Sequence, residues 1–227
     1  MLNHSKQTNS ARISNDPSRD VAVIAIHAKF GASETSYARD EEIYRESEPA
    51  NRVYEVIRGA VRSFNVLSDG HRRQITSFHL PNDVFGLEID PNCRFTTEAI
   101  VDTAVRVVRR HSLEYVAATN VGVARDLLSM TANTLRHAED QLLLLGCKLA
   151  LERVADFLLE MDKRLAGTGT MALPMSRADI ADYLGLRLET VSRALSFLRD
   201  QGVLEFSKTS QRQIVLRNRE QLQKLNS

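Results

Sequence analysis

The stretch from Met175 to Gly202 constrains the fold most, because it carries the signals of two short helices joined by a tight turn. Ser176 can cap a helix, and Asp179 three residues later completes a capping box. Gly185 supplies the left-handed residue with which a chain leaves a helix. The apolar stripe of this first helix consists of Ile180, Ala181 and Leu184.

A second helical period begins three residues after that glycine. Its apolar residues, at spacings of four and three, are Val191, Leu195 and Leu198. Glu189, Ser192 and Arg193 fall elsewhere on the surface, near the start of this helix. They suit base edges, because Arg pairs with guanine, Glu accepts from cytosine and Ser is adaptable. The stretch predicts a helix-turn-helix whose second helix enters the DNA major groove.

Two observations bear on this interpretation. An ordinary helical hairpin would use Glu189 and Arg193, four residues apart, as a surface ion pair. Leu188 stands where Ser or Thr would cap the second helix, so that N-terminus depends on a DNA phosphate or on Thr190. The coincidence of cap, turn glycine, spacing and base-reading residues favours the helix-turn-helix.

The runs Asp179–Leu186 and Glu189–Arg193 resemble the Crp/Fnr superfamily of bacterial transcription regulators, especially its Fnr and FixK branches. Recognition helices of those branches carry Glu-x-x-Ser-Arg. The resemblance extends from about Val21 to the C-terminus. It implies a homodimeric regulator, usually an activator, that binds an inverted repeat with TTGA half-sites and contacts RNA polymerase through surface loops such as the Asp69-Gly70 hairpin.

The same resemblance assigns individual contacts. Arg193 would take the guanine, Glu189 the cytosine and adenine side of the pairs, and Ser192 a thymine. For the two basic residues of the last loop, Lys208 and Arg212, an exposed position without DNA contact is the alternative. All the side chains that we expect at phosphates are Arg187, Thr190, Arg199, Lys208 and Arg212.

Composition and charge agree with a DNA-binding protein without requiring one. The formal net charge is only +1, but the part from Cys147 onward has 13 basic and 10 acidic residues, against 17 and 19 before it. A positive excess on the C-terminal part fits phosphate binding. The polar first twenty residues lack the apolar core of a signal peptide, and no apolar run reaches the roughly 20 residues of a membrane span. We therefore expect a cytoplasmic protein.

The N-terminal part predicts strands after a polar arm at residues 1–20. Between residues 21 and 118, short alternating runs are separated by turns, and Asp69-Gly70 between two of them is a hairpin signal. So many short strands without long helices predict a double-stranded β-roll, and the resemblance makes it the cyclic-nucleotide-binding type. The fold class is therefore α+β. The strands expected here are Val53–Arg58, Ala60–Val66, Arg73–Phe78, one from Leu80–Gly86, and two within Thr97–Arg109.

A long helix at residues 119–146 follows a helical period that begins near Leu113 and continues past Thr119. Its apolar and small residues repeat at alternating steps of three and four, which is coiled-coil spacing. We predict a parallel dimerisation helix, because a helix-turn-helix protein usually binds a two-fold site. A stripe packed on its own domain is the alternative. The seam consists of Val121, Ala124, Leu128, Thr131, Leu135, Ala138, Leu142 and Leu145.

Residues 147–227 form the predicted DNA-binding domain, with a hinge at Gly146-Cys147. A helix follows, then a flexible turn at Gly167–Thr170, the helix-turn-helix and two short strands, Val203–Phe206 and Gln213–Leu216. This order is that of a winged helix. Cys147 beside the hinge is a candidate redox control point, with a buried inert thiol as the default interpretation.

The sequence gives no evident sensor. Phe85–Asp90 lacks the second glycine and the glutamate of a nucleotide phosphate turn, and Arg94 is more simply a solvated arginine. An iron-sulfur cluster would need about four cysteines, and only two are present. Haem bound by His71, His79 or Cys93 is a third possible sensor, but each of these residues is more simply a surface or strand residue. We therefore expect no metal and no cofactor.

With these sensors set aside, the sequence fits a FixK-like family member without a sensor of its own. The resemblance implies a role in the low-oxygen response, with the regulator controlled through its abundance or its modification. The first rival is a regulator of the same fold gated by a nucleotide or haem. The second, an enzyme built on the jelly roll, would need converging His and carboxylate ligands. No His-x-His pair occurs, so we expect no enzyme.

Overall fold

The computed structural model describes residues 33–67, 72–165, 168–207, 210 and 212–225. The N-terminal elements are β1 (Ser33–Tyr37), β2 (Glu42–Tyr44), β3 (Arg52–Arg58), β4 (Val61–Val66), β5 (Arg73–His79), β6 (Val84–Phe85), β7 (Thr96–Ala99), β8 (Thr103–Arg109) and α1 (Arg110–Thr119). The long helix is α2 (Val121–Cys147). The C-terminal elements are α3 (Ala150–Arg164), β9 (Thr170–Ala172), α4 (Arg177–Leu184), α5 (Leu188–Asp200), β10 (Leu204–Phe206), β11 (Gln213–Leu216) and α6 (Arg219–Lys224).

The N-terminal strands form two antiparallel four-stranded sheets, ordered β1-β8-β3-β6 and β2-β7-β4-β5. Apolar side chains from both sheets share one core, in which the Tyr54 and Phe85 rings stack at 5.1 Å. Gly59 turns the chain from one sheet to the other at φ +92°, and a β-carbon there would lie 2.7 Å from the Thr103 Cα. This is the predicted β-roll.

Each N-terminal strand that the alternation predicts is present, and the bounds of β3, β4 and β5 differ from the predicted ones by one residue. The sequence does not predict β1, which is mostly polar, or β2, which is only three residues long. The polar arm at residues 1–20 and the Asp69-Gly70 turn lie outside the described residues. The strands that flank this turn, β4 and β5, do pair antiparallel.

The helical period from Leu113 is interrupted, which corrects the expectation that it runs on past Thr119. Asn120 is extended, with φ −134° and ψ 106°, and its side chain accepts hydrogen bonds from Gly122 N and Val123 N. An asparagine that caps a new helix in this way ends the previous one. The linker to the C-terminal domain also differs from the predicted hinge. Gly146 and Cys147 are helical, and the extended residues are Lys148 and Leu149.

The C-terminal domain is a winged helix with one strand more than expected. β9 pairs with β11, which pairs with β10, so Thr170 is the first residue of a strand and not part of a turn. The buried faces of α3, α4 and α5 pack on this sheet, and their core continues into β4 and β5 of the β-roll. Phe78 of β5 contacts Tyr183 of α4 with ring centroids 5.0 Å apart. The two domains therefore share one apolar contact region.

Candidate nucleic-acid interface

The first helix of the motif, α4, begins and ends where the sequence predicts. Ser176 Oγ accepts a hydrogen bond from Asp179 N at 3.1 Å, and an Asp179 carboxylate oxygen accepts from Ser176 N at 2.8 Å. Gly185 follows the last turn in the left-handed conformation, at φ 61° and ψ 37°. The capping box and the turn glycine are both confirmed.

The second helix, α5, has one buried and one exposed face. The buried face packs against α3 and α4, and consists of Val191, Ala194, Leu195 and Leu198. Glu189 and Arg193 are exposed and Ser192 is half-buried, so these side chains lie away from the core. Among the described residues, neither an ion pair nor a side-chain hydrogen bond joins Glu189 to Arg193. The surface ion pair of an ordinary hairpin is therefore not formed.

The start of α5 differs by one residue from the expectation. Its N-cap is Arg187, not Leu188, and no side chain, including that of Thr190, caps the helix. The first-turn amides thus lack side-chain acceptors. An uncapped N-terminus attracts anions, since its amides and the helix dipole both favour negative charge.

The remaining phosphate candidates are dispersed. Arg187 is exposed and Thr190 half-buried at the start of α5. Arg199 lies in the last turn of α5 and pairs with its neighbour Asp200 at 2.8 Å. Arg212 precedes β11 and donates to the Pro174 carbonyl at 3.2 Å. Lys208 lies outside the described residues.

The seam on α2 is exposed over most of its length. Its four large residues are Val121, Leu128, Leu135 and Leu142, with exposed fractions of 76, 70, 61 and 73%. The small residues of the seam, Ala124, Thr131 and Ala138, are exposed as well. Leu145 differs, since it is half-buried and packs against the core of its own chain. A separate face of α2 packs on the β-roll through Val123, Leu127 and Met130.

The two thiols have opposite surroundings. Cys93 is buried in the β-roll, and burial raises its thiol pKa, which disfavours the reactive thiolate. Cys147 is exposed at the end of α2, so the default interpretation of a buried thiol is wrong for this residue. A redox role for Cys147 stays a prediction.

The possible haem and nucleotide residues have simpler roles in the β-roll. His79 hydrogen-bonds Ser63 Oγ at 2.9 Å and stacks on Phe85, and burial lowers its pKa to about 4. Arg94 is exposed, with its guanidinium 5.6 Å from the Phe95 ring centroid. His71 lies outside the described residues.

Within the described ranges, no three His, Cys, Asp or Glu side chains converge in a manner that could hold a metal ion. No helix in this part of the chain is both long and apolar enough to cross a membrane.

One group of polar residues between the β-roll and α4 could not be identified from the sequence. Arg62 and Arg73 lie on the strands that face α4, and both contact Asp179, which the sequence assigns only to helix capping. An arginine in a strand of alternating polar and apolar residues is ordinarily expected to face solvent. Arg62 lies between Val61 and Ser63 in β4, and this local sequence does not identify a partner 117 residues away.

Comparisons with known proteins agree with this geometry. Residues 152–225 match the model of the Crp-like helix-turn-helix domain, and residues 34–120 match the cyclic nucleotide-binding domain. The nitrogen fixation regulation protein FixK of Azorhizobium caulinodans is 39% identical over 216 residues, covering 93% of this chain and 83% of the relative. FixK of Rhizobium meliloti is 39% identical over 169 residues, covering 74% and 76%.

Among solved structures, FixK2 from Bradyrhizobium japonicum superposes with a TM-score of 0.83 at 65% sequence identity. The match covers 86% of this chain and 98% of FixK2. Fold, motif and sequence thus lead to one assignment. The chain belongs to the FixK branch of the Crp/Fnr family of DNA-binding transcription regulators.

Proposed function

We propose that this protein is a homodimeric activator that binds inverted repeats with TTGA half-sites and takes part in a low-oxygen regulatory cascade. The observation that carries the proposal is the exposed face of α5, where Glu189, Ser192 and Arg193 lie opposite a fully packed apolar face. Side chains of these types read guanine, cytosine and thymine edges in the major groove.

Contacts to the phosphate backbone of the DNA would fix the position of α5 along the duplex. Arg187 and the uncapped amides at the start of α5 suit a phosphate. Thr190 and Arg199 are further candidates, and Arg199 would exchange its pairing with Asp200 for a phosphate oxygen. Arg212, which precedes β11, and Lys208, which the sequence places between β10 and β11, are further candidates for phosphate contacts.

The exposed α2 seam supports the homodimer. Large apolar side chains recur every seven residues, whereas a helix facing water would carry polar residues there. A parallel pair of α2 helices would relate two α5 helices by a two-fold axis. Two-fold sites with half-sites about one helical turn, roughly 34 Å, apart match this symmetry.

The packed interior of the β-roll supports binding without a small ligand. Tyr44, Tyr54 and Phe85 fill it together with His79, and no cofactor is proposed. Two relatives are named nitrogen fixation regulation proteins, which supports control of respiratory or nitrogen-fixation genes. We further propose that the regulator acts in the cytoplasm, contacts RNA polymerase through β-roll loops and is controlled by its abundance or modification.

The test is binding of Arg193→Ala to a duplex with TTGA and TCAA arms in inverted repeat. Losing one bidentate arginine should cost about 1–3 kcal/mol and remove discrimination at one base pair. Arg45→Ala is the matched control, because Arg45 is an exposed arginine of the β-roll. Wild-type affinity and base preference in Arg193→Ala would contradict the assignment.

A further inference from the structure

The β-roll and the C-terminal domain are joined by a group of paired charges that we call the Asp179 junction. It consists of Asp179 and Asp182 of α4, Arg62 of β4 and Arg73 of β5. The side chains of Asp179 and Arg62 are only 4% and 8% exposed. Charges this deeply buried are stable only when paired and hydrogen-bonded, which makes their geometry restrictive.

Asp179 uses its two carboxylate oxygens for different purposes. Oδ2 accepts from Ser176 N at 2.8 Å and from Ser176 Oγ at 2.7 Å, which caps α4. Oδ1 accepts from Arg73 Nη2 at 2.7 Å and from Arg62 Nη1 at 3.1 Å, which binds the helix to the β-roll. The first turn of α4 therefore cannot rotate about its axis without breaking contacts to two strands.

Further contacts hold the rest of α4 in the same orientation. Arg73 Nε donates to Asp182 Oδ2 at 2.8 Å, and Gln74 Nε2 donates to the Tyr183 carbonyl at 3.3 Å. At the C-terminal end, Arg153 donates to the Leu184 carbonyl at 3.0 Å and to the Leu145 carbonyl of α2 at 2.8 Å. Both ends of α4 are thus fixed, to the β-roll and to the long helix.

Arg62 itself is anchored within the β-roll. Glu98 accepts from its Nη2 at 2.7 Å, and Asp40 accepts from the same atom at 3.1 Å. The guanidinium is thereby held rigidly before it meets Asp179. A rigid donor on one domain and a buried acceptor on the other define one relative orientation, in contrast to an apolar contact, which tolerates sliding.

We propose that the Asp179 junction positions the recognition helix, setting the one separation and angle between the two α5 helices of the dimer that its operator must match. Because α5 packs directly on α4, the orientation of α4 determines that of α5. Arg62, Arg73 and Asp182 are positioning residues in this account and do not touch DNA. The proposal rests on the proposed function, since it presupposes a dimer on a two-fold site.

The test compares operators whose half-sites are separated by different numbers of base pairs. Each added base pair moves one half-site by about 3.4 Å and rotates it by roughly 35°. The variants are Arg73→Gln and Asp182→Asn, and the second keeps the side-chain shape in case the first fails to fold. Arg106→Gln is the matched control, because it removes a pair with Glu55 that lies entirely within the β-roll.

We expect wild-type affinity to fall at least tenfold when two base pairs are added to the preferred spacing. In the junction variants the two added base pairs should lower affinity only about threefold or less. Arg106→Gln should keep the wild-type ratio between the affinities at the two spacings. Affinity for an isolated half-site should be unchanged in all of them. A lower affinity at every spacing with an unchanged ratio would reflect structural damage alone and would overturn the proposal.

Three other results are also decisive. Tighter binding by the variants at every spacing would mean that the junction restrains the C-terminal domain, which would overturn the positioning role. Failure of the wild-type protein to bind at any spacing would overturn the proposed function and this inference with it. Wild-type binding with a preferred spacing that the variants retain overturns the junction proposal alone.

Discussion

Truncation of Leu135 to alanine tests whether the α2 seam forms a dimer. The side chain is 61% exposed in the single chain. Full burial of a leucine contributes about 1.5–3 kcal/mol, so the part still open to water is worth about 0.9–1.8 kcal/mol per copy. Two copies meet in a dimer, and alanine keeps the β-carbon. We therefore expect Leu135→Ala to weaken dimerisation by about 2 kcal/mol, or roughly 30-fold.

Sedimentation velocity over a range of protein concentrations measures this change. Leu143→Ala is a closely matched control, because Leu143 lies on the same helix, is also 61% exposed and falls outside the seam. It should shift the dimer dissociation constant less than threefold. An unchanged dissociation constant in Leu135→Ala, or a larger effect in Leu143→Ala, would refute the assignment of the seam.

Two further predictions concern the β-roll. Burial lowers the pKa of His79 to about 4. Between about pH 6.5 and pH 4 the unfolded chain therefore binds a proton that the folded chain does not, so the free energy of unfolding decreases as the pH is lowered. From pH 7 to pH 5 this group should lower the free energy of unfolding, measured in urea, by about 2 kcal/mol. His79→Gln should lack that loss, and His111→Gln, a control at an exposed histidine, should retain it. Gly59→Ala should cost about 2–4 kcal/mol in thermal unfolding, because φ is +92° and the backbone of Asp102 and Thr103 blocks a β-carbon. Gly146→Ala, in an open helical position, should stabilise instead, and equal effects of the two glycine substitutions would contradict this reading.

Much of the C-terminal motif could be predicted because its signals are local. Ser176, Asp179 and Gly185 act on their own helix, and the apolar period of α5 identifies its buried face. The strands β3, β4 and β5 alternate clearly enough to be recognised. In contrast, β1 is largely polar and is stabilised by pairing with β8, a contact 70 residues away that no local pattern encodes.

Long-range packing also accounts for the misjudged positions. Leu145 has the correct heptad spacing, but the C-terminal domain folds back onto that end of α2 and covers it. The capping oxygen of Asp179 could be inferred, whereas its second oxygen meets arginines more than 100 residues earlier in the chain. Such partners are determined by how the domains dock, which spacing within one element does not specify.

Ligand-independent DNA recognition is tested most directly by operator binding of the purified protein without added ligand, in air and then in reductant. The probe is a duplex with TTGA and TCAA arms in inverted repeat, and a scrambled duplex is the control. We predict specific binding in both conditions, as expected of a constitutively competent FixK-like regulator. Binding only in reductant would direct attention to the exposed Cys147. No specific binding in either condition would contradict the account and support a regulator that requires a ligand.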